Sequence, residues 1–514
     1  MSKTIIIIGA GLAGLSAALQ AAENGCNVKL VSSFPSERAQ SVMAEGGINA
    51  ALNTKDENDS PEEHFTDTIK AACGLADPNA VWGMTQVAPE LVHWLLKLGV
   101  QFNMSGYADV DLRNFGGQKK KRTAFAQSDT GKQIMTAMID AVRRKEASGM
   151  VERFSHHSFL TLRLCDNICC GCVIRDEYSQ ETVELPGDAV IVATGGMHGL
   201  FGNTTGSLSN TGEVTAELFR LGVPLANGEM IQYHPTTVKC GGKRMLISEA
   251  ARGEGGRLFA MKDGKQWYFM EEKYPELGNL MPRDITAREI WKVSHESEVF
   301  LDMTEISDEI ISNKLSGLAD DCMTYLHKDI RKEPVSVLPG IHYFMGGILV
   351  DEQHRTPIQN LYAAGECCAQ YHGANRLGGN SLLGALYGGR VAAKSACEQA
   401  DVVDLSCATQ IDFPPASQIS EIKQLNKVMQ ETMGVVRNEN TLLNGIQTVQ
   451  ALTGNLPLLG VAVLKSALAR KESRGAHWRE DYPKSNDDDY LKTTVARFDG
   501  KQIQISFVPV PERR

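Results

Sequence analysis

Apolar runs separated by glycine turns dominate the start of the chain. Ile5–Ile8 is an unbroken apolar run, which predicts a buried parallel strand, and Leu12–Glu23 predicts the helix that follows it. Asn24-Gly25 supplies a stop for this helix, and Val28–Val31 predicts a second strand. The chain therefore begins with a β-α-β unit.

Two similar apolar runs occur far along the chain. Asp188–Ala193 ends in Thr194-Gly195-Gly196, and Leu361–Gly365 is followed by Glu366. Strands this far apart predict one nucleotide-binding sheet that is interrupted by an inserted segment. The candidate insertion runs from Ile231 to Ile341, about 110 residues, a size typical of a small domain.

The C-terminal part has a different pattern. Beyond Ala400, apolar positions repeat at helical spacing in Ile419–Met433 and Leu458–Arg470, and Thr494–Val510 alternates as strands do. We therefore predict a discontinuous nucleotide-binding domain at 1–230 and 342–400, a capping domain at 231–341, a helical domain at 401–493 and a β tail at 494–514.

Composition and charge exclude several classes of function. With 514 residues, 42% of them hydrophobic and 22% charged, the chain is typical of a soluble globular protein of several domains. A formal net charge of -10 argues against a nucleic-acid binder, which needs clustered positive charge. The basic run Lys119–Arg122 predicts a solvated loop.

The chain offers no clear sorting or membrane signal. Ile5–Ile8 is too short for a signal peptide, and no apolar run approaches the roughly eighteen residues of a membrane span, so we expect a cytoplasmic protein. Twelve scattered cysteines favour a reducing cytoplasm over a disulfide framework. The cluster Cys165, Cys169, Cys170 and Cys172 lacks the spacing of a metal site, so we predict packing in a strand and no metal.

The turn Gly9-Ala10-Gly11-Leu12-Ala13-Gly14 lies between the first strand and its helix. The first glycine makes the tight turn, the second lets the backbone approach a pyrophosphate, and the third lets the helix pack on the strand. The helix N-terminus then stabilises the phosphate charge. Ser32-Ser33 stands where an acidic residue usually binds the ribose, which makes a standard NAD site less favourable.

Further motifs follow in a fixed order along nearly the whole chain. They are Ala44-Glu45-Gly46-Gly47-Ile48-Asn49-Ala50-Ala51, Asp129-Thr130-Gly131, Ala193-Thr194-Gly195-Gly196, Gly365-Glu366, Glu472-Ser473-Arg474-Gly475-Ala476-His477 and Asp481-Tyr482-Pro483. With them the sequence resembles the flavoprotein subunits of succinate dehydrogenase and fumarate reductase, a family that also includes L-aspartate oxidase. The resemblance implies an α/β FAD-binding domain of the Rossmann-like, glutathione-reductase type, with an inserted α+β capping domain and a C-terminal helical domain.

By the same resemblance the cofactor is FAD. The residues implied as its contacts are Gly9, Gly11, Gly14, Ser32, Ala44, Glu45, Gly46, Gly47, Asp129, Thr194, Gly195, Glu366, Asn380, Ser381 and Leu382.

Two departures from the family pattern concern this cofactor. Membrane-bound members attach the flavin to a histidine, and the matching position here is Gln40, so we predict noncovalent FAD. A covalent imidazole link makes the flavin a better oxidant, and the family uses it where succinate is oxidised. Gln40 therefore favours fumarate reduction. The family's Thr-Gly-Asp-Gly run appears as Thr211-Gly212-Glu213-Val214, which puts that contact in doubt.

Five motifs indicate a dicarboxylate site. They are Tyr233-His234-Pro235-Thr236, Ser248-Glu249-Ala250-Ala251-Arg252-Gly253-Glu254-Gly255-Gly256, Pro282-Arg283-Asp284, His342-Tyr343-Phe344-Met345-Gly346-Gly347 and His372-Gly373-Ala374-Asn375-Arg376-Leu377-Gly378. Fumarate reduction requires that both carboxylates are held, that developing charge is stabilised and that a proton is delivered.

Each requirement has candidate side chains. Arg376 has the planar fork that clamps a carboxylate, and His234, Ser248 and His342 can donate further hydrogen bonds. The resemblance implies that Arg283 delivers the proton. The family feeds this proton through a carboxylate and a second arginine, which match Glu249 and Arg252. Any one of these side chains alone is better explained by a structural role, but all of them together, each beside its family glycines, favour a functional site. His156, His157, His198 and His477 have no such support and are expected to be structural.

Other functions remain open. L-Aspartate oxidase carries a glutamate in the loop that here reads Arg113-Asn114-Phe115-Gly116-Gly117-Gln118, with Phe115 nearest that position and so near the substrate. A subunit of an electron-transfer assembly is another alternative, namely a succinate dehydrogenase flavoprotein subunit that needs an iron–sulfur partner. The region Leu452–Leu464 looks short for the partner surface. An RNA-modifying flavoprotein is disfavoured by the charge.

Overall fold

The structure is a computed structural model. It describes residues 2–106, 109–401, 411, 413 and 418–514. Part of the predicted helical domain at 401–493, namely 402–410, 412 and 414–417, lies outside the described residues.

A five-stranded parallel sheet forms the centre of the nucleotide-binding part. Its strands, in spatial order, are Leu361–Ala363, Ala189–Val192, Thr4–Ile8, Asn27–Ser32 and Val151–Ser155. The expected strands at 5–8, 28–31, 188–193 and 361–365 are all confirmed, with their ends moved by up to two residues.

The two faces of this sheet are buried against different layers. Ile5 and Ile7 pack with the helices Leu12–Glu23 and Asn380–Gln399. Ile6 and Ile8 pack under a three-stranded antiparallel sheet. Burial on both faces explains why the isoleucine run is unbroken. The antiparallel strands are His157–Cys165, Ile168–Asp176 and Thr182–Pro186, and the remaining helices of this part are Pro61–Ala71, Pro78–Lys97, Thr130–Ala147 and Glu213–Arg220.

The inserted segment contains two antiparallel sheets and short helices around its own core. One sheet consists of Ile231–Cys240, Lys243–Leu246 and Leu338–Phe344, and the other of Arg257–Lys262, Lys265–Trp267, Val299–Asp302 and Val335–Ser336. The helices are Glu249–Gly253, Phe269–Lys273, Arg283–Val293, Asp308–Lys314 and Ser316–Asp321. A separate apolar cluster joins residues of 247–337 with Phe115. The division at 231 and 341 remains a prediction.

The C-terminal part combines helices with a hairpin. The helices are Ile419–Thr432, Glu439–Gln450, Asn455–Ala469 and Asp487–Tyr490, and the hairpin strands are Lys492–Phe498 and Ile503–Pro509. The hairpin extends a sheet with Leu225–Ala226, Gly347–Leu349 and Cys368–Ala369, so it is tied to the rest of the chain. Short strands lie at Ile48–Asn49, Met104–Ser105, Asp109–Val110, Leu112–Arg113 and Thr123–Ala124. Short helical turns lie at Ser36–Arg38, Gln40–Met43, His198–Leu200, Gly278–Leu280, Cys322–Leu326 and Gly365–Cys367.

The cysteines have mixed states. Ten described cysteines are free thiols. Cys165 is disulfide-bonded, so the prediction that it only packs in its strand is wrong. Cys169, Cys170 and Cys172 are buried in the strand Ile168–Asp176, where they were expected to pack. Within the described ranges no group of histidine, cysteine or acidic side chains could hold a metal ion. No described helix has the length and apolarity needed to cross a membrane.

Candidate active site

A cavity of about 1300 Å³ is lined by both the parallel sheet and the inserted segment. One part is bordered by the glycine turn and by Ser32, and another by His234, Arg283 and Arg376. We refer to these parts as the nucleotide end and the substrate end.

Glycines shape the nucleotide end. Gly9 has a φ of +110°, and a Cβ there would lie 2.3 Å from the carbonyl oxygen of Ala193. A Cβ on Gly14 would lie 1.8 Å from the carbonyl oxygen of Gly9. Both positions therefore require glycine for the turn to form. Gly11 lines the cavity, and a Cβ there would meet only ordinary contacts, so its small size leaves room for a ligand.

The nucleotide end fits FAD. The helix Leu12–Glu23 begins at the cavity wall, where the positive end of its dipole attracts phosphate. The hydroxyl oxygen of Ser32 is buried without a partner among the described residues, as expected of a group that binds ribose. Most of the other residues predicted to contact FAD also line the cavity, namely Ala44, Glu45, Gly46, Gly47, Thr194, Gly195, Glu366, Ser381 and Leu382.

Three predicted cofactor contacts lie away from the cavity wall. Gly14 acts through helix packing, as described above. Asp129 is exposed. In the same motif, Gly131 lets its helix pack closely on the segment at 41–44, because a Cβ there would lie 2.1 Å from the carbonyl oxygen of Ser41. Asn380 is buried, and its Oδ1 accepts hydrogen bonds from Nδ2 of Asn49 and Nε2 of His64, so it supports the wall from behind.

Several cavity residues were missed by sequence reasoning. His156 and His157, which were expected to be structural, line the nucleotide end together with Phe159, Arg175 and Tyr178. His156 and Tyr178 lie in turns that follow strands, and His157, Phe159 and Arg175 lie in the antiparallel strands. No motif marks them, and the only local signal is the positive φ of +58° at His156.

Glu45 lies in the cavity wall as a buried carboxyl. Burial and the nearby Asp321 raise its pKa to about 8, and a hydrogen bond with Ser248 opposes the shift. The adjacent Gly46 faces Phe115, since a Cβ there would lie 2.8 Å from the phenyl ring. Phe115 is buried and forms part of the same wall.

Arg283, Glu249 and Arg252 form a continuous ion-pair chain. Nη2 and Nε of Arg283 donate to Oε2 of Glu249 at 2.6 and 2.8 Å, and Nη2 of Arg252 donates to Oε1 at 3.2 Å. Burial alone would raise the pKa of Glu249, but the two guanidinium groups outweigh it and lower the pKa. Arg283 and Glu249 line the cavity, whereas Arg252 lies behind them and donates to the carbonyl oxygen of Asn279.

Arg376, unlike Arg283 and Arg252, has no ion-pair partner among the described residues. It is buried, its Nε has no partner among the described residues, and its guanidinium lies 4.3 Å from the centre of the Tyr343 ring. Burial and the neighbouring Arg283 lower its pKa to about 9. A cation that is buried beside a second cation calls for an anionic ligand.

The histidines of the substrate end are neutral. Burial, followed by the nearby arginines, lowers the pKa of His234 well below the ordinary value. Burial, followed by His234 and then by Arg283 and Arg376, does the same to the pKa of His342. Their ring centres are 5.2 Å apart, and both rings line the cavity with Ser248. The structure therefore brings every predicted substrate-binding side chain to one end of the cavity.

Known proteins are similar to this chain over most of its length. Residues 4–382 match the family model of the FAD binding domain, and residues 453–513 match that of the fumarate reductase flavoprotein C-term. A succinate dehydrogenase flavoprotein subunit of Bacillus subtilis is 38% identical over 100% of this chain and 98% of its own length. An L-aspartate oxidase of Pyrococcus furiosus is 33% identical over 94% of this chain and 97% of its own length.

Solved structures give the same family. The FrdA chain of E. coli quinol fumarate reductase superposes with a TM-score of 0.89 at 27% identity, over 99% of this chain and 97% of that chain. The expected FAD-binding fold with a C-terminal domain is therefore confirmed. This chain belongs to the family of succinate dehydrogenase and fumarate reductase flavoprotein subunits, FAD-dependent oxidoreductases that act on CH–CH bonds.

Proposed function

We propose that this protein is a catalytic flavoprotein subunit that reduces fumarate to succinate, with FAD held noncovalently. The observation that carries the proposal is the buried Arg376, which has no acidic partner among the described residues and lies near Arg283. A four-carbon dicarboxylate supplies the missing negative charge and spans from one arginine towards the other.

The side chains of the substrate end have different roles in binding and in catalysis. Arg376 clamps one carboxylate, and Ser248, His234 and His342 offer hydrogen-bonding groups around the substrate. FAD, when bound, supplies the hydride that adds to the double bond. Electrostatic attraction from the arginines stabilises the negative charge that develops next to the second carboxylate.

Arg283 delivers the proton to the second carbon in this proposal. An arginine has a pKa above about 12 and is a poor free acid, so it must be reprotonated at once. Its two hydrogen bonds to Glu249, and the further bond from Arg252, provide such a path. The relay is thus supported by contacts of 2.6 to 3.2 Å.

Gln40 supports noncovalent binding and the direction of the reaction. A carboxamide cannot form the histidyl–flavin bond, and here its Oε1 accepts a hydrogen bond from the backbone N–H of Ser207 at 2.5 Å. An unmodified flavin is the stronger reductant, and each 30 mV of two-electron potential is worth about 1.4 kcal/mol. Acid precipitation should therefore release all of the flavin. Yellow colour in the washed pellet would contradict this part.

L-Aspartate oxidation is the second candidate, because the Pyrococcus relative carries that name. A substrate ammonium needs a carboxylate partner. Glu249 is already shared by two arginines, Glu45 is mainly protonated at neutral pH, and Phe115 replaces a charge in the loop. These features favour the dicarboxylate.

One assay separates the candidates. Purified protein is supplied with reduced viologen and fumarate, or with L-aspartate and oxygen. We expect rapid viologen oxidation with fumarate, very slow succinate oxidation with artificial acceptors, and no turnover of L-aspartate. Oxygen-dependent turnover of L-aspartate without fumarate reduction would overturn the proposal.

The proposal includes an iron–sulfur partner subunit. The match of residues 453–513 to the fumarate reductase flavoprotein C-term supports such a partner, whereas the helix Asn455–Ala469 lies in the region that is short for a partner surface. Size-exclusion chromatography of the native complex with iron analysis tests it. Co-elution with iron supports a partner, and an iron-free active species indicates a free-standing enzyme.

A further inference from the structure

The backbone segment at 203–210 borders the substrate end, and the hydroxyl of its Thr205 contacts the ring of His342. Oγ1 of Thr205 lies 2.8 Å from Nδ1 of His342. No family motif pointed to Thr205, yet it lines the cavity beside residues expected to bind substrate.

This contact affects which nitrogen of the His342 ring carries the proton. Its ring is neutral because burial and nearby positive charges disfavour a second proton. A neutral imidazole carries one proton, either on Nδ1 or on Nε2, and the partner of one nitrogen decides what the other can do. Within the described part of the chain no hydrogen-bond partner reaches Nε2 of His342, so this nitrogen is left for a ligand.

The hydroxyl of Thr205 has two possible acceptors. The carbonyl oxygen of Ile341 is 3.4 Å away, whereas Nδ1 of His342 is at 2.8 Å. That carbonyl already accepts the backbone N–H of Thr205 at 3.0 Å. At 3.4 Å the carbonyl lies beyond the normal length of an O–H···O hydrogen bond, so Nδ1 is the acceptor within reach of the hydroxyl. Donation to Nδ1 leaves the ring proton on Nε2.

The segment holds Thr205 in place from both sides. Thr204 Oγ1 lies 2.9 Å from Nδ1 of the buried His198 and accepts the N–H of Gly206. Ser207 donates its N–H to Gln40. The other histidine differs, because Nδ1 of His234 meets both a carbonyl and an N–H of Thr236, so its contacts select no tautomer.

We propose that Thr205 is a positioning residue of the dicarboxylate site, whose hydroxyl donates to Nδ1 of His342 and keeps the ring proton on Nε2, ready to bind a substrate carboxylate. The inference rests on the proposed function for the identity of the ligand. The tautomer itself does not depend on it.

The test compares Thr205→Val, which keeps the shape and removes the hydroxyl, with Thr205→Ser, which keeps the hydroxyl. Malonate serves as a dicarboxylate that cannot react, and its binding is followed by the change in flavin absorbance. We expect Thr205→Val to weaken malonate binding tenfold to a hundredfold, the value of about 1.5–3 kcal/mol for a hydrogen bond to a charged group. We expect Thr205→Ser to remain within about threefold of the wild type, and KM for fumarate to rise more than kcat falls.

Bound FAD and the melting temperature report whether each variant folds. If Thr205→Val does not fold, Thr205→Ala removes the same hydroxyl and is expected to give the same loss. Equal malonate affinity in the wild type and the hydroxyl-free variant, or equal loss in the valine and serine variants, would overturn the inference.

A second readout separates this inference from the proposed function. Ring ¹⁵N shifts of His342, assigned with His342→Gln, are recorded without dicarboxylate. We expect protonated Nε2 in the wild type and Thr205→Ser, and a shift towards protonated Nδ1 in Thr205→Val. If the wild type binds no malonate, the proposed function fails and these shifts alone decide the role of Thr205. Protonated Nδ1 in the wild type rejects it.

Discussion

The two ends of the cavity are built on opposite principles. At the nucleotide end, side chains are absent where the backbone must turn, as at Gly9 and Gly14. At the substrate end, charged side chains are buried and held by one another, as in the pair Arg283–Glu249. The nucleotide end is shaped by the steric space that its glycines leave, and the substrate end by the electrostatic interactions of its buried charges.

This difference predicts how each end fails. A substitution at the nucleotide end should affect folding or the retention of FAD. A substitution at the substrate end should spare FAD and affect turnover or dicarboxylate affinity, because the charges there act on the substrate. Variants that violate this division would break the comparison.

The largest effect is expected for Arg283→Ala. Turnover should fall by at least about a thousandfold, because a donor that acts mainly in the transition state contributes about 4 kcal/mol. FAD content should stay at the wild-type level, and malonate affinity should fall only modestly. The measurement is kcat with the flavin-to-protein absorbance ratio. If the variant retains more than about a tenth of the wild-type activity, Arg283 is not the proton donor.

Arg376→Met should act on binding instead. Loss of the carboxylate clamp should weaken malonate binding by about a hundredfold, close to 3 kcal/mol. Arg376→Lys is the matched control, since it keeps the charge but loses the planar fork, and an intermediate affinity is expected. Titration of flavin absorbance gives both values. Unchanged affinity in Arg376→Met would contradict the clamp.

Gly14→Ala and Gly11→Ala sharpen the comparison at the other end. Gly14→Ala should destabilise even the FAD-free protein by about 2 kcal/mol or more, because its Cβ would lie 1.8 Å from a backbone oxygen. Gly11→Ala should leave the FAD-free protein stable and weaken FAD binding. Urea unfolding and FAD titration separate the two. Similar apoprotein stabilities for both variants would refute the packing role of Gly14.

The smallest effect concerns Glu45 and pH. Its pKa rises from an ordinary 4.5 to about 8 in the folded protein, so the folded state binds a proton that the unfolded state has lost. The resulting stability is complete below about pH 4.5 and is lost as the pH rises towards 8. The slope is at most about 1.4 kcal/mol per pH unit. Glu45→Gln should remove this slope in urea unfolding at pH 6 and 7. An equal slope in both proteins would reject the raised pKa.

Local signals predicted the nucleotide end well. The helix Leu12–Glu23 has the bounds that were expected, because a glycine turn and Asn24-Gly25 define its ends. The strands that flank it agree because their apolar runs reflect burial on both faces. The substrate-end residues were found through motifs, and their roles remain predictions.

The remaining features depend on contacts between distant residues. The hairpin at 492–509 pairs with Leu225–Ala226, and no local pattern identifies that partner. His156 and Tyr178 reach the cavity only because antiparallel strands fold over the sheet. Asn380 lies beside a binding motif, yet its side chain is committed to Asn49 and His64.

Gln40 joins two properties that would otherwise be independent. In the proposed function its side chain leaves the flavin unattached, and its Oε1 also accepts the backbone N–H of Ser207, two residues beyond Thr205. A histidine at this position could bond to the flavin, but the hydrogen bond from the N–H of Ser207 to Gln40 would then be lost. An evolutionary change from noncovalent to covalent flavin would then require compensating substitutions in the 203–210 segment, so the history of the two features should be correlated.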